Sequence, residues 1–238
     1  MPKLSVIIPT LNEEENPYFF KIIELLLSYE EIEVIVSDGG SVDDTFAYCS
    51  KLNIIFLSNK TTSRAERINF GIRESSCEMI LLQHPRSLIC KEGVEYLLKN
   101  MANMSWGGFS HSFDSEHPIL KFTSWYSNYI RGSLSSILYL DHCIFLKKSM
   151  AVSIGEIPIV DIFEDTILSQ KLRKKFGKPK ILPHKVTTSA FRFKTNGILR
   201  QSLINQYLKI KFYLGADHCQ MNRLYERNTR LNSKYDIE

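Results

Sequence analysis

Leu4-Ser5-Val6-Ile7-Ile8-Pro9-Thr10 and Glu33-Val34-Ile35-Val36-Ser37-Asp38-Gly39-Gly40 are the two stretches that decide the fold. Each is a short apolar run rich in β-branched residues and closed by turn formers, the pattern of a strand buried on both faces. Between them, Pro17 to Tyr29 carries Phe19, Phe20, Ile22, Ile23, Leu25, Leu26 and Leu27, and Pro17 suits a first helical turn. Working outward, Thr45 to Leu52 reads as a helix, Ile54 to Leu57 as a strand and Ser63 to Glu74 as a helix with Ser63 as its N-cap. Met79 to Leu82 reads as a fourth strand. Strand alternating with helix predicts an α/β fold with an open, mainly parallel sheet flanked by helices.

After residue 105 the rhythm changes. Trp106-Gly107-Gly108-Phe109 and Asp141 to Leu146 read as strands, and His117 to Leu140 holds many aromatics in an irregular helical pattern. Glu164 to Phe176 is a helix stopped by Gly177. Thr187 to Phe193 is expected as a strand and Gly197 to Leu214 as a long aromatic and basic helix. No Pro/Gly/Ser linker divides the chain, which predicts one fused domain over 1–238. Its parts would be a nucleotide-binding half (1–105), an acceptor and catalytic half (106–195) and a basic helical extension (196–238).

The 238 residues are 44% hydrophobic and 24% charged, which excludes collagen, a disulfide mini-protein and a disordered acidic tail. The apolar runs fall well short of the roughly 18 residues a bilayer span needs, and the start shows no signal-peptide pattern. Cys49, Cys77, Cys90, Cys143 and Cys219 are scattered and never form CxxC, so reduced thiols in a cytoplasmic protein are expected. Residues 1–170 carry 14 Lys+Arg against 22 Asp+Glu, whereas 171–238 carry 16 against 4. A basic end of that kind suits a phosphorylated substrate or an anionic lipid surface, or is simply solvated. Nucleic acid is not expected, because no recognition motif accompanies the charge.

In an open parallel sheet, ligands sit outside the carboxyl ends of the strands. Pro9-Thr10-Leu11-Asn12-Glu13, Asp38-Gly39-Gly40 and Gln83-His84-Pro85-Arg86 fall there. Asp38 could accept hydrogen bonds from a base or ribose, or could serve turn chemistry alone. Arg64 opens a helix and reads either as a phosphate or base contact or as a surface charge. Asp161-x-x-Glu164 has capping-box spacing, so Glu164 reads as a helix cap or as a functional acid. Glu164 and Asp165 straddle the stripe Leu168, Leu172 and Phe176, so at least one should face inward. A buried carboxylate is costly unless paired or functional.

Taken in order, these segments resemble family 2 glycosyltransferases. The resemblance rests on Ser5 to Glu14, Val34 to Thr45, Ser63-Arg64-Ala65-Glu66-Arg67-Ile68-Asn69-Phe70-Gly71, Phe163-Glu164-Asp165-Thr166 and Val186-Thr187-Thr188-Ser189-Ala190. It is nearest the small bacterial branch of unassigned substrate. It implies the GT-A fold, with a nucleotide-sugar lying across the carboxyl edge of the sheet. Pro9, Thr10 and Glu13 would then line ribose and base, Asp38 would accept the base imide hydrogen, and Arg64 would approach a base carbonyl. Asp165 would be the catalytic base with Glu164 beside it, Asp141 would face the acceptor, and Asn69 and Gly71 would pack behind the pocket.

One position departs from that family. Its Mg²⁺ or Mn²⁺ is held by an acidic motif after the fourth strand, but here His84-Pro85-Arg86 stands there. No metal cofactor is firmly implied, and Arg86, with His84, would face the diphosphate instead. Arginine suits that role because its planar fork binds phosphate oxygens in pairs. The expected activity is inverting sugar transfer from a nucleoside-diphosphate sugar, UDP-linked by preference, to an unknown acceptor hydroxyl. A catalytically inactive nucleotide-sugar-binding or scaffold protein is the rival. The last helix would pack on the body, on a second copy or on a membrane surface.

Overall fold

The computed structural model describes residues 1–60 and 63–229. Eight strands form one sheet in the order β3-β2-β1-β4-β7-β6-β8-β5. Its first wing is parallel: β1 (Leu4–Thr10) lies between β2 (Ile32–Asp38) and β4 (Met79–Leu82), with β3 (Ile55–Ser58) outside β2. The second wing is mixed. β7 (Ile144–Lys147) runs antiparallel to β4 and to β6 (Trp106–Phe113), β8 (Lys180–Thr188) runs parallel to β6, and the short β5 (Ser87–Ile89) closes the edge.

All seven residues of β1 are buried, and their alternation feeds two cores. Val6 and Ile8 face α1 (Pro17–Leu27) and α4 (Lys91–Asn100), against Phe19, Ile22, Ile23, Leu26, Val94 and Leu97. Ile7 faces α3 (Arg64–Glu74) and α7 (Glu164–Phe176), against Ala65, Ile68, Ile72, Leu168 and Leu172. α3 lies so close to the sheet that a Cβ at Gly71 would sit 2.4 Å from Ile7 Cγ2, which is why that turn of helix lacks a side chain. Asn69 on the same helix exchanges two hydrogen bonds with the Ile157 backbone (2.8 and 2.9 Å) and anchors the loop ahead of α7. α2 (Thr45–Cys49) and α6 (Lys148–Ser153) are short connectors.

Ser63 caps α3 by accepting from the Ala65 N–H, as expected, and Gly177 ends α7 at φ 83°. Three expectations fail. Thr187 to Phe193 is not one strand: β8 ends at Thr188, Asp114 Oδ1 accepts from the Ala190 N–H (2.7 Å), and α8 (Phe191–Asn196) begins. The strand expected from Asp141 starts at Ile144, after a 3₁₀ turn at Leu140–His142 and Cys143 at φ 49°. Asp161 does not cap α7; the N-cap is Phe163, left-handed at φ 66°, with no side-chain cap. The aromatic stretch resolves into α5 (Pro118–Tyr126) and a π-helical Ser127–Leu134, and the basic end into α9 (Ile198–Tyr213) and α10 (His218–Glu226). All five cysteines are free. Among the described residues no helix is long and apolar enough to cross a membrane.

Candidate active site

A cleft of about 1360 Å³, counting its open mouth, lies where the carboxyl ends of β1 and β4 meet the helices of the second half. Glu13, Arg64, His84 and Arg86 line it from the first half, and Arg131, Tyr139, Asp141, Asp165, Arg192 and Lys209 from the second.

Asp165 sits in the first turn of α7. Its Oδ1 accepts the Thr166 N–H (2.7 Å), its Oδ2 accepts the Leu140 N–H (3.0 Å), and Arg64 Nη2 stands 3.9 Å away. Burial and the adjacent Glu164 charge lift its carboxyl to about 6, with Arg64 pulling the other way. Glu164 is 2% exposed and lies behind the cleft wall, its Oε1 2.5 Å from Arg64 Nε. The pair therefore divides: Glu164 holds Arg64, and Asp165 reaches the cleft. Phe163, left-handed at the N-cap, precedes both acids, and with no cap from Asp161 the Glu164 carboxylate is paired with Arg64.

Asp141 lies on the 3₁₀ turn with Oδ2 3.5 Å from His111 Nε2 and Oδ1 buried without a hydrogen-bond partner. Burial opposes its ionisation, but His111, His142 and Arg131 overcome that and hold it down at about 2. The same burial keeps His111 below the ordinary imidazole range and His142 at about 3. Near pH 7 both rings are neutral, and Arg131 is the lasting positive charge at this carboxylate.

On the opposite wall, Glu13 is 1% exposed and meets Arg86 Nη2 at 3.0 Å and Asn16 Nδ2 at 2.8 Å. Burial raises its carboxyl to about 7 despite Arg86. His84 Nδ1 accepts the Arg86 N–H (3.1 Å), which leaves the proton of the neutral ring on Nε2; burial and Arg64 hold its pKa at about 3. Arg86 also lies over the Phe191 ring, 5.5 Å from its centre.

Pro9, Thr10 and Asp38 stand at the same sheet edge but do not line the cleft. Asp38 accepts from Gly40 N (2.8 Å), Ser41 N (2.7 Å), Thr10 Oγ1 (3.1 Å) and the Ser41 hydroxyl, which uses the capacity of a carboxylate on its own turn. Arg67, which sequence reading passed over, is buried and donates to Thr10 O (2.7 Å), tying this turn to α3. Its signal was an arginine three residues after Arg64, on a helix otherwise facing the sheet. Arg131, Tyr139, His111 and Lys209 were also missed, and no local pattern marks them.

Mg²⁺ or Mn²⁺, which the GT-A comparison implies, does not fit the residues present. The acidic motif is absent, Arg86 brings a positive charge to its place, and the carboxylate nearest Arg86, Glu13, is engaged with Arg86 and Asn16. Among the described residues no three His, Cys, Asp or Glu side chains gather as a metal site.

A parallel wing fused to a mixed wing in one sheet, with the cleft at their junction, is the architecture of a GT-A-type domain. The chain belongs to glycosyl transferase family 2, whose model matches residues 5–223. No curated protein matches the sequence. Among solved structures, the chain is similar to S. aureus TarS 1–349 in complex with UDP-GlcNAc, at 17% identity and TM-score 0.63, covering 79% of this chain and 58% of that one. It is similar to the mannosyltransferase PcManGT from Pyrobaculum calidifontis in complex with GDP-Man and Mn²⁺, at 18% identity and TM-score 0.60, covering 88% and 64%. It is also similar to the glucosyl-3-phosphoglycerate synthase from Mycobacterium tuberculosis with Mn²⁺, UDP and glucosyl-3-phosphoglycerate, at 14% identity and TM-score 0.57, covering 79% and 70%. This chain thus spans less than two thirds of TarS 1–349.

Proposed function

We propose that this chain transfers a sugar, with inversion, from a nucleoside-diphosphate sugar to an acceptor hydroxyl. UDP is the preferred nucleotide, since TarS and the mycobacterial synthase are both described with UDP or a UDP-sugar. Asp165 is the base. It takes the acceptor proton as that oxygen bonds the anomeric carbon, while the bond from that carbon to the diphosphate oxygen breaks and the nucleoside diphosphate leaves. A base should have a pKa near the working pH, and a carboxyl lifted to about 6 meets that need. The observation that carries the reading is the Asp165 carboxylate in the cleft, fixed by two backbone N–H groups with Arg64 Nη2 3.9 Å away.

The leaving diphosphate needs positive charge. Arg86 supplies it with the His84 Nε2–H beside it, and Arg64, held by Glu164, spans the distance to the base. Pro9, Thr10 and Asp38 shape the rim against which the base and ribose rest. Asp141 faces the acceptor.

Asp165→Asn should lower turnover by about 10³-fold or more, in the range seen when a catalytic group is removed, and leave UDP affinity within about twofold. Turnover with a panel of UDP-sugars, beside calorimetric titration of UDP, measures both. Equal loss of turnover and affinity would show that Asp165 merely holds the fold. The same titration with Mn²⁺ added should give the same affinity, and a large gain would overturn the Arg86 role. One observation favours the rival, a nucleotide-sugar binder without turnover: Glu13 half-neutralises Arg86 at 3.0 Å. A wild-type protein that binds UDP but never transfers or hydrolyses any donor would establish that rival.

A further inference from the structure

Five side chains with permanent or near-permanent positive charge line the cleft, and they are not alike. Arg64 meets Glu164 at 2.5 Å, Arg86 meets Glu13 at 3.0 Å and Arg192 meets Glu226 at 2.7 Å. Arg131 and Lys209 make no ion pair with a carboxylate among the described residues. The Arg131 guanidinium lies flat on the Tyr139 ring, 3.4 Å from its centre, and gives Nη2 to the Ser127 hydroxyl, while its Nε is buried with no partner. The Lys209 ammonium has only Gln206 Oε1 at 3.4 Å and the Tyr126 ring at 5.7 Å.

Such a pair costs stability unless something answers it. Burial and the Arg131 charge press the Lys209 ammonium down to about 8, and Asp141 only partly offsets them. The backbone bears a second cost nearby. Arg131 rides on the π-helical Ser127–Leu134, and widened turns of this kind are rare and concentrate at functional sites. Arg131 stands over Ser127, four residues earlier, so that one hydroxyl and one guanidinium share the cleft wall.

We infer that Arg131 and Lys209 form a subsite for an anionic group, a phosphate or a carboxylate, carried by the acceptor. Arg86 and Arg64 lie toward the β1 and β4 edge and serve the donor diphosphate; Arg131 and Lys209 lie on the helices of the second half, beside Asp141. An acceptor with a hydroxyl at Asp165 and a negative group further along would bridge the two acids and reach both cations. Assigning the anion to the acceptor rests on the transferase reading; the subsite itself does not.

Inorganic phosphate is the probe, titrated calorimetrically into the full chain with UDP saturating. Phosphate should bind while UDP is bound. Lys209→Gln should weaken it about tenfold, the loss of one charge-assisted contact, and Arg131→Gln by at least as much, with UDP affinity unchanged. Arg86→Gln should do the reverse. Because Arg131 is packed on Tyr139, the partly buried Lys209 is the decisive variant should Arg131→Gln fold poorly. The inference is overturned if phosphate does not bind, if UDP displaces it, or if Arg86→Gln weakens it as much as Lys209→Gln does. Should UDP fail to bind while phosphate still depends on Lys209, the transferase reading falls and the anion subsite stands.

Discussion

The two walls of the cleft were built by different physics. On the β1–β4 wall Arg86 is paired with Glu13, and behind the cleft Asp38 is held by its own turn and Arg67 by the Thr10 carbonyl. The facing wall holds an Asp141 oxygen lacking a hydrogen bond and two cations, Arg131 and Lys209, that pair with no carboxylate among the described residues. Satisfied polar groups hold a scaffold in one shape, whereas unsatisfied ones are kept only where something outside the protein completes them. On the function proposed above, the first wall serves the donor and the second the acceptor.

The largest test of that contrast is the pH profile. Asp165 must be ionised to accept a proton, so with its pKa at about 6 the rate should fall tenfold for each unit below that value and level off above it. The measurement is turnover from pH 4.5 to 8 with UDP affinity followed in parallel. A limb near the ordinary carboxylate value would remove Asp165 as the base proposed above.

A middle-sized effect is expected from Asp38→Ala. It strands two backbone N–H groups and two hydroxyls at a buried turn, which should cost about 2–4 kcal/mol of unfolding free energy in a denaturant melt. If stability holds and UDP binding alone collapses, Asp38 belongs to the base pocket and not to its frame.

The smallest effect is at Glu13. With its carboxyl at about 7, it is mostly protonated at pH 6 and ionised at pH 8, where it offsets Arg86. After allowance for the ionisation of UDP itself, affinity should drop by about threefold across that interval, a fraction of a kcal/mol for one charge already paired with Arg86. Glu13→Gln should flatten the drop. The sign is the same for folding: a carboxyl raised from 4.5 favours the folded state at acid pH, and that advantage fades as pH climbs through about 7. A steeper drop in the variant would separate Glu13 from Arg86.

How much could be read beforehand differs between the walls for the same reason. β1, β2 and β4 are continuous apolar runs buried on both faces, so composition and length alone mark them, and turn chemistry places Asp38 and Glu13 at their ends. Trp106 to Phe109 marks the start of β6, but its polar continuation to Phe113 does not, and β8 contains Pro183 with Lys180 and Lys185; both strands are held by their neighbours. Asp165 was legible through its place at a helix start. Arg131 and Lys209 were not, because 78 residues separate them and only the packing of α5 against α9 brings them to one cleft.

Phe163 ties these two histories together. Its left-handed backbone costs about 1–2 kcal/mol for a residue with a Cβ, and its ring rests on Phe212 of α9, centre to centre 4.7 Å. α9 therefore reaches the residue just ahead of Glu164 and Asp165, and while it is seated the bend there is braced. Shortening the chain before Phe212 would remove that brace and let the helix start relax.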